Sequence, residues 1–265
     1  MFFKLNNGKI PIGESYIDYA AFGKGSRALV IIPGLSLRDV RGAGAALALM
    51  YRIFAKDFRV YVIDKKRDIP EGYSVSDIAR DTKDAMLALG IERASVLGVS
   101  LGGMVASDLA ISNPDLVESL VLGVTASRTN PTIEAVIGRW VEFATGGNFG
   151  DIISDMMRLM YSERYVKKYR LLFPILAKFY RPKNPERFIR LAKACLTCDT
   201  YGRLHEIKCR ALVLGGECDM IVTPEASREI AEALGCEIHM YADLGHSAYE
   251  EAPDFNKRIY DFLSL

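Results

Sequence analysis

The chain has little of what would announce a nucleic acid, a membrane or a metal as its business. Its 34 Lys and Arg nearly balance 33 Asp and Glu, and a formal charge of +1 gives no global reason to bind nucleic acid. No apolar run approaches the ~20 residues that cross a bilayer, because Gly, Arg or Asp interrupts each one early. Histidine is scarce, at three, which limits any imidazole chemistry to His205, His239 or His246. The five cysteines (Cys195, Cys198, Cys209, Cys218 and Cys236) are odd in number. The opening Met1-Phe2-Phe3-Lys4 soon runs into Asn6-Asn7-Gly8-Lys9 and is not expected to be a secretory leader. A reducing cytoplasm is therefore expected. Cys195-Leu196-Thr197-Cys198 has redox or metal spacing, yet no second pair or histidine cluster accompanies it. Buried thiols are expected there, with no metal and no cofactor.

What the chain does have is a core. Half of its 265 residues are hydrophobic and a quarter are charged, enough for one large α/β domain carrying an insertion. Strands are expected at residues 16–19, 28–32, 59–63, 94–98, 117–123, 211–215 and 237–241. The run Ala28-Leu29-Val30-Ile31-Ile32, ended by Pro33-Gly34, is continuously apolar, as a strand covered on both faces must be. Helices are expected at 43–54, 76–89, 102–112, 225–234 and 254–263. In the second of these, Ile78, Ala79, Thr82, Ala85, Met86 and Leu89 share one side, and Gly90 closes it. Strands alternating with helices predict an α/β fold with a mostly parallel sheet flanked by helices. Ligands in such sheets sit beyond the carboxyl ends of the strands.

Residues 125–209 break the rhythm and are expected to form a helical cap insertion between core segments 1–124 and 210–265. Trp140 lies in this insertion as a candidate substrate contact, although its aromatics and methionines Met156, Met157 and Met160 are first of all packing groups. Between Glu163 and Lys193, Arg164, Lys167, Lys168, Arg170, Lys178 and Arg181 are followed by Lys183, Arg187, Arg190 and Lys193, against Glu163 and Glu186 alone. A solvated face explains such a stretch; an anionic substrate or an acidic membrane surface are the sharper readings.

The most specific signal is Gly98-Val99-Ser100-Leu101-Gly102-Gly103, where an apolar strand meets a helix. Small residues two before and two after the serine let the chain double back, which lifts the hydroxyl above the sheet. A hydroxyl is a weak nucleophile until a base takes its proton. His246, in Asp243-Leu244-Gly245-His246-Ser247 after the last strand, is the candidate base, since a loop there can hang an imidazole over the strand ends. Asp219, in the loop before Thr223-Pro224, is the candidate orienting carboxylate; Glu217 reads as a salt-bridge residue. The backbone N–H groups of Leu35, after Pro33-Gly34, and of Leu101 are the candidate oxyanion-hole donors.

This order of serine, acid and histidine resembles the α/β-hydrolase superfamily over essentially the whole chain. The resemblance rests on the nucleophile segment, on Gly216-Glu217-Cys218-Asp219 through Thr223-Pro224, on Gly245-His246-Ser247 and on Tyr73-Ser74-Val75-Ser76-Asp77 ahead of a helix. It departs at Pro33-Gly34, where many members carry His-Gly; backbone donation by Leu35 survives that change. The resemblance implies a serine hydrolase that opens an ester, thioester, lactone or amide of a small, partly apolar acyl substrate. A proline-iminopeptidase-like aminopeptidase and a small-molecule receptor that keeps the triad share the same frame, as do lyases and perhydrolases.

Overall fold

A computed structural model describes residues 5–170, 182 and 184–265. Eight strands form one sheet: β1 (Asn6–Ile12), β2 (Ser15–Phe22), β3 (Arg27–Ile32), β4 (Phe58–Lys66), β5 (Ala94–Val99), β6 (Val117–Gly123), β7 (Arg210–Gly216) and β8 (Glu237–Tyr241). Their spatial order is β1-β2-β4-β3-β5-β6-β7-β8. The β1–β2 and β2–β4 pairs are antiparallel, and all later pairs are parallel. The chain runs from β3 outward to β4 and then returns past β3 to β5. That reversal opens a crevice beyond the carboxyl ends of β3 and β5, where a ligand site belongs in an open α/β sheet.

Strand periodicity divides the interior into two cores, one on each face of the sheet. In β5, Ala94 and Val96 join one cluster, while Leu97 and Val99 join the other. Helices α1 (Val40–Met50), α2 (Val75–Ala88) and α3 (Leu101–Ser112) follow β3, β4 and β5. A capping box starts α2: Ser74 Oγ accepts the Asp77 N–H and Asp77 accepts the Ser74 N–H, together contributing about 1 kcal/mol. Between β6 and β7 lie α4 (Pro131–Thr145), α5 (Phe149–Met160), α6 (Glu163–Tyr169) and α7 (Pro185–Cys195), the helical cap. Asn130 and Asn184 cap α4 and α7, each followed by a proline at the first turn. The insertion leaves and re-enters the core through a single antiparallel bridge between Arg128 and Asp199. Helices α8 (Pro224–Leu234), α9 (Ala248–Glu251) and α10 (Phe255–Leu263) complete the chain.

Two differences from the pattern expected of the sequence fall in the first part of the chain. The helix expected over 43–54 begins at Val40 and ends at Met50, and a 3₁₀ turn over Arg52–Lys56 replaces its last turn. The tighter turn puts Phe54 and Ala55 fully into the core below β4. The edge strand β1 was not expected, because only Ile10 and Ile12 of its seven residues are buried. Lys9 and Pro11 suit a strand whose outer edge must not pair further. Among the described residues, no helix is long and apolar enough to cross a membrane.

Candidate active site

Ser100 occupies the single residue between β5 and α3, with φ 54° and ψ −122°. Such a left-handed conformation costs a non-glycine residue about 1–3 kcal/mol and persists only where its surroundings enforce it. Here the Ser100 N–H donates to Gly123 O at 2.9 Å, while Ser100 O accepts from Thr125 Oγ1 at 2.7 Å and Gly103 N–H at 2.7 Å. The glycines on either side are needed for space. A Cβ at position 98 would lie 2.3 Å from Gly102 O, and one at 102 would lie 1.9 Å from Ile32 O.

His246 sits in the turn between β8 and α9 and is almost fully buried. Its Nε2 is 2.9 Å from Ser100 Oγ and its Nδ1 is 2.9 Å from Asp219 Oδ2. The neighbouring Ser247 N–H donates to Met160 O at 2.9 Å, tying the histidine turn to the end of α5. Asp219 uses both oxygens: Oδ1 accepts the N–H groups of Ile221 and Val222, at 2.8 and 3.0 Å, while Oδ2 faces the imidazole. Burial opposes its charge, but His246 and the two N–H donors outweigh it and hold the carboxyl below the usual carboxylate range. An ionised carboxylate only accepts, so the imidazole proton belongs on Nδ1 and Nε2 is left to accept from the serine hydroxyl. The acid loop is braced by Asn130 Nδ2, which donates to Val222 O at 3.0 Å, and by Thr223, held at φ 73° just before α8.

Leu101 directly follows Ser100, and Leu35 lies in the loop after β3. Leu35 shares a pocket wall with Ser100 and His246. Leu101 is the first residue of α3, so its N–H has no acceptor within the helix, and it stands at the positive end of the helix dipole. The pocket above Ser100 is apolar. Met104 of α3 and Ile133, Ile137 and Trp140 of α4 line it, with Met156 and Met160 of α5. Cys195 of α7 and Ile221 and Val222 of the acid loop complete the wall. The pocket is partly open and its volume is about 30 Å³, room for a water or two, which is less than an acyl group fills. The unbranched methionines of α3 and α5 can rearrange at low cost to make room. The Trp140 indole N–H is satisfied by Asp155 at 2.9 Å, which leaves its ring to the pocket.

The other titratable candidates lie elsewhere. His205 is exposed on a 3₁₀ turn, His239 packs edge-on against Tyr241 at 4.6 Å, and Glu217 pairs with Arg228 at 2.6 Å. Cys195 and Cys198 are both buried, and burial pushes each thiol up to about 12. Among the described residues no group of His, Cys, Asp and Glu is arranged to hold a metal ion.

None of the described basic residues of the 163–193 stretch lines the serine pocket. Arg164, Lys167, Lys168 and Arg170 are exposed on or just after α6, and Lys178, Arg181 and Lys183 lie outside the described residues. Arg187 faces inward from α7: it donates to Asp64 Oδ1 at 3.1 Å, Lys65 O at 2.8 Å and Lys66 O at 3.1 Å. It also borders a separate cleft of about 600 Å³, with Arg38, Asp39 and Arg67, which contains neither Ser100 nor His246. The inward Arg187 and the buried Lys65 were missed in the sequence. The one available signal was a lysine directly after Asp64, at the carboxyl end of a buried strand.

Comparison with known proteins agrees with this architecture. The family model described as "alpha/beta hydrolase fold" matches residues 27–253. The chain is 25% identical over 248 residues to "Putative carbamate hydrolase RutD" of Rhizobium rhizogenes, covering 84% of this chain and 88% of the relative. It is 27% identical over 237 residues to the 2-hydroxy-6-oxo-6-phenylhexa-2,4-dienoate hydrolase of Comamonas testosteroni, covering 84% and 80%. Among solved structures, the enol-lactonase of Burkholderia xenovorans LB400 superposes with a TM-score of 0.85 at 21% identity, covering 97% of this chain and all of that one (100%).

Proposed function

The chain belongs to the alpha/beta hydrolase fold family, and from that premise we propose that it is a serine hydrolase of small, largely apolar carbonyl compounds. His246 Nε2 takes the Ser100 proton as Oγ attacks the carbonyl carbon. The N–H groups of Leu35 and Leu101 receive the developing oxyanion, where each donor is worth about 3 kcal/mol. Asp219 stabilises the imidazolium, which then protonates the leaving group. Water, deprotonated by His246, attacks the acyl carbon and frees Ser100.

One observation carries this reading: the Ser100–His246–Asp219 chain, with both contacts at 2.9 Å, opens into a pocket walled by apolar side chains. The pocket wall supports an ester, thioester, lactone or amide with an apolar acyl group. It offers no support for an anionic acyl group or an aminopeptidase, because among the described residues no Arg, Lys, Asp or Glu lines it. Relatives named for carbamate, dienoate and lactone hydrolysis support the same substrate class. The five unpaired cysteines support a reducing cytoplasm.

A fluorophosphonate probe, followed by peptide mapping, tests the nucleophile, with p-nitrophenyl esters and lactones of graded length as substrates. Labelling at Ser100 is expected, with loss of turnover in Ser100→Ala. Undiminished turnover in the folded variant would sink the reading.

A further inference from the structure

Lys65 is a lysine in an unusual place. It lies near the carboxyl end of β4, only 3% exposed, and its ammonium reaches the loop that follows β3. Nζ donates to Gly34 O at 2.9 Å and to Pro33 O through a short contact. These two carbonyls belong to consecutive peptides, and the second of them carries the Leu35 N–H. In a trans peptide the C=O and the N–H point in opposite directions. Holding Gly34 O therefore also sets the direction of the Leu35 N–H.

The sheet order gives that direction a meaning. β3 lies between β4 and β5, so Lys65 approaches the loop from one side and Ser100 from the other. Gly34 itself abuts the serine: a Cβ there would be 3.2 Å from Ser100 Cβ. From below, Gly102 closes on the same loop, since its Cβ would lie 2.8 Å from Pro33 O. The loop thus lies between α3 and the lysine, and both of its carbonyls accept from Lys65, on the β4 side.

We propose that Lys65 is the positioning residue of the oxyanion loop: its ammonium holds the Pro33 and Gly34 carbonyls toward β4 and so turns the Leu35 N–H toward Ser100. This rests on the serine-hydrolase reading above. Position 33 is a proline, which has no side-chain donor of its own to hold the loop.

The groups facing Lys65 tune it. Burial disfavours the ammonium, Asp64 on its own strand favours it and Arg187 from α7 disfavours it, while Cys195 of α7 faces it as a neutral thiol. Burial acts most strongly, and lowers Lys65 from 10.5 to about 8. Above that value the amine keeps two hydrogens for two carbonyls but loses the charge that strengthens both bonds.

The test uses the whole enzyme and its Lys65→Met and Lys65→Arg variants, with a p-nitrophenyl ester as substrate and an alkylboronic acid as the probe of the oxyanion site. Lys65→Met is expected to fold, to keep KM within a few fold, and to lose about 10²-fold in both kcat and boronate affinity. Lys65→Arg, which keeps a charged donor, is expected to recover part of both losses. In the unaltered enzyme, kcat is expected to fall severalfold above about pH 8, a limb that requires no variant to fold. Equal boronate affinity in folded Lys65→Met, or a flat alkaline profile in the unaltered enzyme, would overturn the role of Lys65 alone. Failure of a fluorophosphonate to label Ser100 would instead remove the reading on which it rests.

Discussion

Arg187 of the cap helix α7 donates to Asp64 at the end of β4, 3.1 Å away, and both side chains are only 7% exposed. Asp64 in turn accepts the Val40 N–H at 3.0 Å, at the start of α1. A residue of the insertion thus holds together the strand that carries Lys65 and the helix that follows the Pro33-Gly34-Leu35 loop. Two opposite charges this far from water stabilise little as a pair, but breaking the pair leaves one of them uncompensated.

Arg187→Met is therefore expected to cost about 3–5 kcal/mol of stability. The double variant with Asp64→Asn is expected to lose much less than the sum of the two singles. Urea denaturation in a double-mutant cycle measures the difference.

Asp219→Asn is expected to lower kcat by about 10³–10⁴-fold, because an amide at Oδ2 forces the wrong imidazole tautomer. The folded-state pKa of Asp219 lies below its ordinary value. Its contribution to stability is in full force above about pH 4 and is lost as the pH falls through that lower value. Acid titrations of the two proteins should converge at low pH. A constant gap would count against an ionised Asp219.

For Lys65 the sign is the same, but the window lies at alkaline pH. Its folded-state value, about 8, lies below the ordinary 10.5, so between them the unfolded chain binds more protons. Stability should rise with pH across that window in the unaltered protein, relative to Lys65→Met. Denaturant midpoints at matched pH values give the comparison.

Gly102→Ala would place a Cβ 1.9 Å from Ile32 O, a clash with backbone that no rotamer relieves. We expect either no folded protein or a loss above ~3 kcal/mol together with loss of Ser100 reactivity. Normal melting and normal fluorophosphonate labelling would contradict the tight elbow.

Trp140→Ala is expected to cost about 3–5 kcal/mol and to enlarge the 30 Å³ pocket. Longer acyl chains should then gain relative to short ones in kcat/KM. Trp140→Phe keeps most of the apolar wall and should change chain-length preference least.

Most of the α/β framework was legible because its signals are local. Ala28 to Ile32 had to be a doubly covered strand whatever its neighbours were, and residues 117–123 and 237–241 match β6 and β8 to the residue. The edge strand β1 escaped because five of its seven residues are not buried, so alternation barely marks it. Within the basic stretch, Arg164, Lys167, Lys168 and Arg170 are exposed as on a solvated face, but spacing on a helix cannot say which face meets protein, and Arg187 belongs to the inner face.

The sequence alone determined the chemistry available at the elbow, since Gly98, Ser100 and Gly102 interact over distances set by the chain itself. It determined also that a histidine and an acid follow, each after a strand. Tertiary structure decided how those groups meet, because Ser100 and His246 are 146 residues apart and only the sheet order brings Nε2 within 2.9 Å of Oγ. It decided too that the pocket is apolar, and that Lys65, 31 residues from Gly34, faces that carbonyl at 2.9 Å. Contacts of that kind leave no periodic trace, because they depend on which strands lie side by side.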